Sequence, residues 1–328
     1  MSKFLISILD SQSLQENGKI GIQYIKSISK VKINKLCHAG SIDSIFISDL
    51  INDVVKQVNI RSENSNVVYK SPFFGASVTK MLLLRKKSDK GALQLAIIES
   101  YSDPSGKNTS DLLIIESGNA GIFQETSRAF SALNLLSYDA ILTEHNDSQL
   151  FLGERCEKYL KEYLVKTDKE NSKLLLIGKR NLKQPILDAI SFQISNKKLN
   201  FLAISFVDHI GIFDIPINET SELIQITQIK TNKSPWWMLY FNPLRLLLAF
   251  DIELNPGLRK NFEFFQISQE ENIRIENLKI PEILYPEMSV SACCIFDSSF
   301  PGNRSSQGLT VFNRIDESFA IFSIECQK

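Results

Sequence analysis

The sequence predicts an all-β chain, a β-propeller of about seven four-stranded blades in a single domain over residues 1–328. Three observations carry that expectation. Short runs of Ile, Leu, Phe and Val are separated throughout by clusters of Asn, Asp, Gly, Ser and Lys, the pattern of strands joined by turns. A phrase ending in Phe recurs along the chain, and a fixed period of 40 to 50 residues marks repeated sheets around an axis. Finally, 43% apolar residues and a formal charge of zero, 37 basic against 37 acidic side chains, exclude disorder, which needs low hydrophobicity and high net charge.

The strand-like runs lie in order at 21–25, 80–84, 93–99, 111–116, 173–177, 201–206, 211–215, 246–252, 262–267, 309–312 and 319–324. Helical periodicity is scarce. Residues 154–165 place Cys156, Tyr159, Leu160 and Tyr163 at three- and four-residue steps with Lys and Glu between them, which predicts a short amphipathic helix inserted in a loop and packed by its apolar stripe. Residues 48–58 are a weaker instance. An α/β enzyme would need regular helices between strands, and two short candidates do not supply them.

The recurring phrase is Gly121-Ile122-Phe123-Gln124, then Gly211-Ile212-Phe213-Asp214-Ile215, Glu263-Phe264-Phe265-Gln266-Ile267 and Ala320-Ile321-Phe322-Ser323-Ile324. Its phenylalanines, at 123, 213, 265 and 322, are 90, 52 and 57 residues apart. The first gap is two periods of about 45 and the others are one period each, lengthened by loops. Three units in the C-terminal half share one grammar of three antiparallel strands: 189–192, 199–205 and 211–215; 238–243, 246–251 and 262–267; 291–297, 309–312 and 319–324. Residues 1–120 repeat it only faintly. Stacked blades of this kind bury a shared core, so the recurring Phe is packing.

These residues resemble the WD40 family of β-propellers over about 185–325. The stretch from Ile190-Ser191-Phe192 through Leu202-Ala203 to Asp208-His209-Ile210-Gly211-Ile212-Phe213-Asp214 looks like that family's inner strands running into its closing dipeptide, with Phe213-Asp214 in the Trp-Asp place. Tyr240-Phe241-Asn242-Pro243 is similar to the family's aromatic-Asn-Pro turn. True Trp-Asp, the Gly-His opening and the Asp-His-Ser-Trp network are absent, so the resemblance is to a divergent member. It implies a rigid binding scaffold in a multiprotein assembly, an expectation by analogy.

Balanced charge also argues against general affinity for the phosphate backbone, which takes a basic excess. Five cysteines, Cys37, Cys156, Cys293, Cys294 and Cys326, are an odd number without framework or zinc-ligand spacing, which fits reduced thiols in the cytoplasm or nucleus and no metal. The apolar run at 4–9 is too short for a signal segment. No later run approaches the ~20 residues of a spanning helix, so no membrane insertion is expected. Four Asn-x-Ser/Thr sequences, at Asn108, Asn146, Asn218 and Asn303, carry no weight without a secretory context.

Chemistry-bearing motifs are few. Phe74-Gly75-Ala76-Ser77-Val78-Thr79-Lys80 looks like the Ser-x-x-Lys motif of serine β-lactamases, in which a helical turn sets the lysine beside the nucleophile. Tyr101-Ser102-Asp103 lies too near to serve as the second motif, no Lys-Thr-Gly follows, and a strand-like run succeeds Lys80 directly. No nucleophile elbow, phosphate loop or dinucleotide fingerprint occurs. His145 falls in a polar cluster, His209 in the turn of the best repeat and His38 beside Cys37. Acidic pairs such as Glu270-Glu271 lie in charged loops. No catalytic or cofactor-binding residue is therefore assigned.

Ser234-Pro235-Trp236-Trp237 is the strongest binding candidate. It precedes an innermost strand, where the chain opens onto a propeller face, and Trp is a frequent interface anchor. Burial of at least one indole between blades is the plainer alternative. The sequence thus predicts a non-catalytic scaffold whose partners are other proteins, with Trp236 and Trp237 as the contact. One alternative is a non-catalytic partner subunit of an RNA- or DNA-modifying enzyme, with a local basic face from Arg85-Lys86-Lys87, Lys179-Arg180-Lys183 or Lys197-Lys198. Another is a serine hydrolase using Ser77 and Lys80.

Overall fold

The computed structural model describes residues 5–7, 19–28, 38–41, 44–49, 53–73, 75–84, 92–103, 105–118, 121–133, 140–146, 149–167, 172–193, 200–215, 222–232, 234–241, 245–250, 262–269, 273–278, 290–298, 306–313 and 318–327. Most of its strands fall into five successive groups of four. Two strands, β1 (Leu5–Ser7) and β2 (Lys19–Ile28), come first. Blade 1 is β3 (His38–Ser41), β4 (Ser44–Asp49), β5 (Val54–Asn59) and β6 (Ser65–Lys70). Blade 2 is β7 (Ser77–Leu83), β8 (Gln94–Ser102), β9 (Asn108–Ser117) and β10 (Phe123–Leu133). Blade 3 is β11 (Ala140–Asn146), β12 (Gln149–Glu154), β13 (Tyr159–Thr167) and β14 (Ser172–Asn181). Blade 4 is β15 (Asp188–Gln193), β16 (Asn200–Ser205), β17 (His209–Asp214) and β18 (Ile224–Lys230). Blade 5 is β19 (Trp237–Phe241), β20 (Leu246–Phe250), β21 (Phe262–Gln269) and β22 (Ile273–Leu278). The last strands are β23 (Val290–Ser298), β24 (Ser306–Asn313) and β25 (Ser318–Gln327).

Each blade is an antiparallel meander, and the first strand of each touches the first strand of the next, from β3 through β7, β11, β15 and β19 to β23 and back to β3. The ring closes through the two ends of the sequence. β2 pairs with β25, from Lys19 opposite Gln327 to Ile28 opposite Phe319, so a five-stranded sheet in the order β1-β2-β25-β24-β23 joins residues more than 290 positions apart in a chain of 328. Closure of this kind removes the open edge of the ring.

The expectation of about seven four-stranded blades is corrected. The described residues form five four-stranded sheets and this one five-stranded sheet. First strands begin at His38, Ser77, Ala140, Asp188, Trp237 and Val290, so most blades consume more chain than the ~45 residues assumed, and the residues before β3 contribute to the closing sheet.

The core lies between blades. Phe46, Val55 and Tyr69 of blade 1 meet Met81, Ile97 and Leu113 of blade 2 in one apolar cluster. Ile98, Leu112 and Ile114 of blade 2 meet Leu142, Leu152 and Tyr163 of blade 3 in the next. Leu112, Leu113, Ile114 and Ile115 are all 0% exposed, because β9 is covered on both faces. Such strands read as unbroken apolar runs where a half-buried strand would alternate.

The same two-sided burial corrects the helix expected at 154–165. The chain turns at residues 155–156 and then runs as β13. Leu160 packs between blades 3 and 4, while Tyr163 packs between blades 2 and 3. Residues three apart on a strand point to opposite faces, and with both faces buried the spacing imitates a helix stripe. Residues 48–58 likewise span the end of β4, a turn with Asp53 at φ 54°, and β5.

Candidate functional site

A blade's first strand starts on the face where its second strand ends. That face therefore carries Asp188 and Trp237, which open β15 and β19, and the turn between β12 and β13 that holds Arg155. Pro235 is buried, and the Trp236 N–H donates to the Ser234 carbonyl at 2.9 Å, a tight turn that aims the half-buried Trp236 and Trp237 toward the axis. The Arg155 turn is pinned from the neighbouring link. Cys156 N–H donates to Ile186 O at 2.7 Å and Ile186 N–H to Glu157 O at 2.9 Å. Arg155 Nε donates to Leu187 O at 2.7 Å.

Two cations meet the indoles. Lys80 Nζ, from β7, lies 4.3 Å from the Trp237 ring centroid. Arg155 Cζ lies 4.9 Å from the Trp236 ring and 5.3 Å from the Trp237 ring. Both separations suit attraction between a cation and an aromatic face. The Trp237 ring is backed by Phe250, stacked at 15° with centroids 6.1 Å apart. Trp237 Nε1 is buried and has no acceptor among the described residues.

Asp188 sits beneath them, 5% exposed. Its Oδ2 accepts the Met238 N–H at 2.7 Å. Burial pushes its carboxyl above the ordinary value of 3.8, while Lys80, Arg155 and the backbone N–H groups of Met238 and Ala189 pull in the opposite direction. The mouth of the ring thus gathers residues from four blades: Lys80, Arg155, Asp188 and the two tryptophans.

A second charged cluster lies between blades 1 and 2. Arg128 is 5% exposed and faces Glu99 Oε2 at 2.9 Å and Asp111 Oδ2 at 2.7 Å, both acids being 0% exposed. Its Nε and Nη2 also hold Glu125, at 2.9 and 2.6 Å. Burial opposes the charge of the guanidinium, but bonds to Glu125 and Asp111 and the field of Glu99 hold it protonated above its usual range. Tyr69 Oη donates to Glu99 Oε1 at 3.2 Å and Tyr101 Oη to Asp111 Oδ2 at 2.9 Å. Burial, then its bond to Asp111, raises the Tyr101 phenol to about 12. Phe73, in the link between the blades, stacks on Tyr101 at 4.6 Å and lies under Arg128 at 4.9 Å. The cluster ties that link to blade 2.

Among known structures the chain is similar to the WD40 domain of Toxoplasma gondii coronin, with 9% identity, a TM-score of 0.53, and 99% of this chain and 90% of that one covered. A chain of the mitotic checkpoint complex matches at 9% identity and a TM-score of 0.52, over 98% of this chain and 97% of that one. At the level of fold the chain is a β-propeller. It is also similar to the PQQ-bound aldose sugar dehydrogenase of Streptomyces coelicolor, at 8% identity and a TM-score of 0.51, over 94% of this chain and 99% of that one. No family model and no curated protein matches the sequence.

Other residues singled out in the sequence fall as follows in the propeller. Ser77 and Lys80 lie on β7, where three residues span about 10 Å, so the helical juxtaposition of a Ser-x-x-Lys pair is not formed. Lys80 is instead a member of the axial cluster, which the sequence did not signal. Arg155 was missed because its turn was read as helix, and Asp188 because a lone acid at a strand start has no pattern. His209 is half-buried, with Nδ1 2.7 Å from Asp208 and its ring stacked on Phe206 at 4.7 Å. His145 packs on Phe151, centroids 5.5 Å apart.

Of the basic clusters, Lys179-Arg180-Lys183 does not form a free patch. Arg180 is buried against Glu162 at 2.8 Å, and Lys179 Nζ lies over Tyr159 at 3.6 Å. Arg85-Lys86-Lys87, Lys197-Lys198, Cys37 and Glu270-Glu271 lie outside the described residues. Cys156 is exposed at the tip of the Arg155 turn. Among the described residues no three His, Cys, Asp or Glu side chains are grouped to hold a metal ion, and no helix is long and apolar enough to cross a membrane.

Proposed function

We propose that this propeller is a non-catalytic interaction scaffold, a subunit of a cytoplasmic or nuclear multiprotein complex that contacts its partner through the axial face bearing Trp236 and Trp237. The observation that carries the reading is the convergence of two half-buried indoles with Lys80 and Arg155, 4.3 and 4.9 Å from their nearest rings. Large rigid aromatics beside a guanidinium are the residue types that dominate binding energy at protein interfaces. The scaffold offers rigidity, since neighbouring blades share continuous cores. Fold likeness to a chain of the mitotic checkpoint complex and to a coronin WD40 domain supports an interaction role by analogy.

The test is recovery of partners on the full chain from native cells. Trp236→Ala with Trp237→Ala is expected to reduce recovery severalfold while the circular dichroism spectrum is unchanged. Undiminished recovery with the doubly substituted chain overturns the reading.

A further inference from the structure

We infer that the outer rim between blades 1 and 2 is a second docking surface, which takes a stretch of a partner protein where basic and apolar residues alternate. The surface is separate from the axial face and does not depend on the reading of that face.

Phe130 is 69% exposed on β10, the outermost strand of blade 2, and Phe73 is 36% exposed in the link before β7. The two rings share a neighbour: Arg128 Cζ lies 4.9 Å from the Phe73 ring and 5.7 Å from the Phe130 ring. They therefore form one patch, continued inward by Tyr101, whose ring stacks on Phe73. Exposed aromatics gathered in this way suit the anchoring of a partner. The backbone is bent where it presents Phe130. The pairing of β10 with β9 is irregular between Ala129 and Leu133, and Ser131 takes a φ of 49°, in the left-handed region that favours glycine. Two bonds hold it there: Ser131 N–H donates to Asp111 Oδ1 at 2.8 Å, and Thr109 Oγ1 donates to Ser131 Oγ at 3.2 Å.

The charge beneath the patch selects the partner. Arg128 commits every guanidinium nitrogen within the cluster, Nε and Nη2 to Glu125 and Nη1 to Asp111 and Glu99. Three carboxylates thus meet one cation, and the cluster carries two more acids than cations. The same charges act on the phenols around it. After burial, Glu99 and Glu125 raise the Tyr69 phenol, and Asp111 and Glu99 raise that of Tyr101, with Arg128 opposing in each case. Glu99 and Asp111 are enclosed, whereas the Glu125 side chain is 33% exposed and brings the negative field to the surface. An incoming anion meets a guanidinium already engaged. A lysine is instead drawn to Glu125, and its stem and apolar neighbours cover the rings.

The experiment follows the fluorescence anisotropy of labelled hexapeptides titrated with the full chain at matched ionic strength: alternating Lys-Leu, alternating Lys-Ser and alternating Glu-Leu. Saturable binding of the Lys-Leu peptide alone is expected, weakened at least tenfold by Phe130→Ser and kept by Phe130→Tyr. Glu125→Gln should weaken it severalfold and flatten its salt dependence. Because the Phe130 ring is exposed, the thermal midpoint of Phe130→Ser should stay near that of the unchanged chain; if that variant fails to fold, Glu125→Gln decides. Equally tight binding of the Lys-Ser peptide overturns the inference in favour of general attraction between opposite charges. Binding of the Glu-Leu peptide, or undiminished Lys-Leu binding in Phe130→Ser and Glu125→Gln, overturns it as well. Self-association of the unchanged chain that Phe130→Ser abolishes, read by sedimentation velocity, overturns it in favour of contact between two copies.

Discussion

Lys80 Nζ stands 4.3 Å from the centre of the Trp237 ring, and the two residues come from blades that face each other across the axis. Among the described residues five four-stranded sheets and one five-stranded sheet make the ring, so blade 2 and blade 5 are opposite, and the contact bridges the axis. Lys80→Met keeps the length of the side chain and removes the charge. It is expected to cost about 0.5–2 kcal/mol, the range of a cation on an aromatic face, and to shift tryptophan emission. Denaturant unfolding followed by emission measures both, and an unchanged emission maximum with unchanged stability refutes the bridge.

Asp188→Asn is expected to stabilise the chain at neutral pH. Because burial raises the Asp188 carboxyl above 3.8, the folded chain holds the proton more tightly than the unfolded one. Stability from this group is therefore full below about 3.8 and falls as pH rises toward the raised folded value, beyond which the loss is complete. Asparagine keeps an acceptor for the Met238 N–H and does not titrate. Its midpoint of thermal unfolding should overtake that of the unchanged chain as pH rises from 3 to 7, reaching an advantage of a few degrees. A difference independent of pH contradicts the assignment.

The repeat was legible where a strand is the third of its blade. Phe213, Phe265 and Phe322 lie on β17, β21 and β25, each in that place. Phe123 instead opens β10, the fourth strand of blade 2, so the match at 121–124 was a resemblance of words. The axial site was half legible. Trp236 and Trp237 stand out by type, whereas Lys80, Arg155 and Asp188 become neighbours only when the ring closes, and no local spacing encodes a meeting across an axis.

Arg128→Ala is expected to be the most damaging single change at the Glu99 cluster. Removing the guanidinium leaves Glu99 and Asp111, both 0% exposed, as buried carboxylates without their cation, and breaking a buried pair in this way costs about 3–5 kcal/mol. Arg128→Met, with Glu99→Gln and Asp111→Asn added, should recover most of it, since acids and cation then leave together. Urea unfolding of the single and triple variants decides the matter. A triple variant as unstable as the single one shows that packing of Arg128 on Phe73, and not charge, is the larger effect.

Gly211 and Gly121 open the same three-residue phrase for different physical reasons, and substitution separates them. A Cβ on Gly211 would fall 2.6 Å from Phe213 Cε2 and 3.3 Å from Phe206 Cε2, in a strand whose aromatics are buried. Gly121 has open space around it but a φ of 75°, which L residues adopt at a cost. Gly211→Ala is expected to cost about 1–3 kcal/mol, as overpacking does, and to be relieved by Phe213→Leu, which shortens the side chain that the new methyl meets. Gly121→Ala should cost about 1–2 kcal/mol through the backbone alone and be indifferent to Phe123→Leu. A double-variant cycle at each pair measures the coupling: a favourable coupling at 211 and 213 with none at 121 and 123 is the expected result, and equal coupling at the two pairs refutes the distinction.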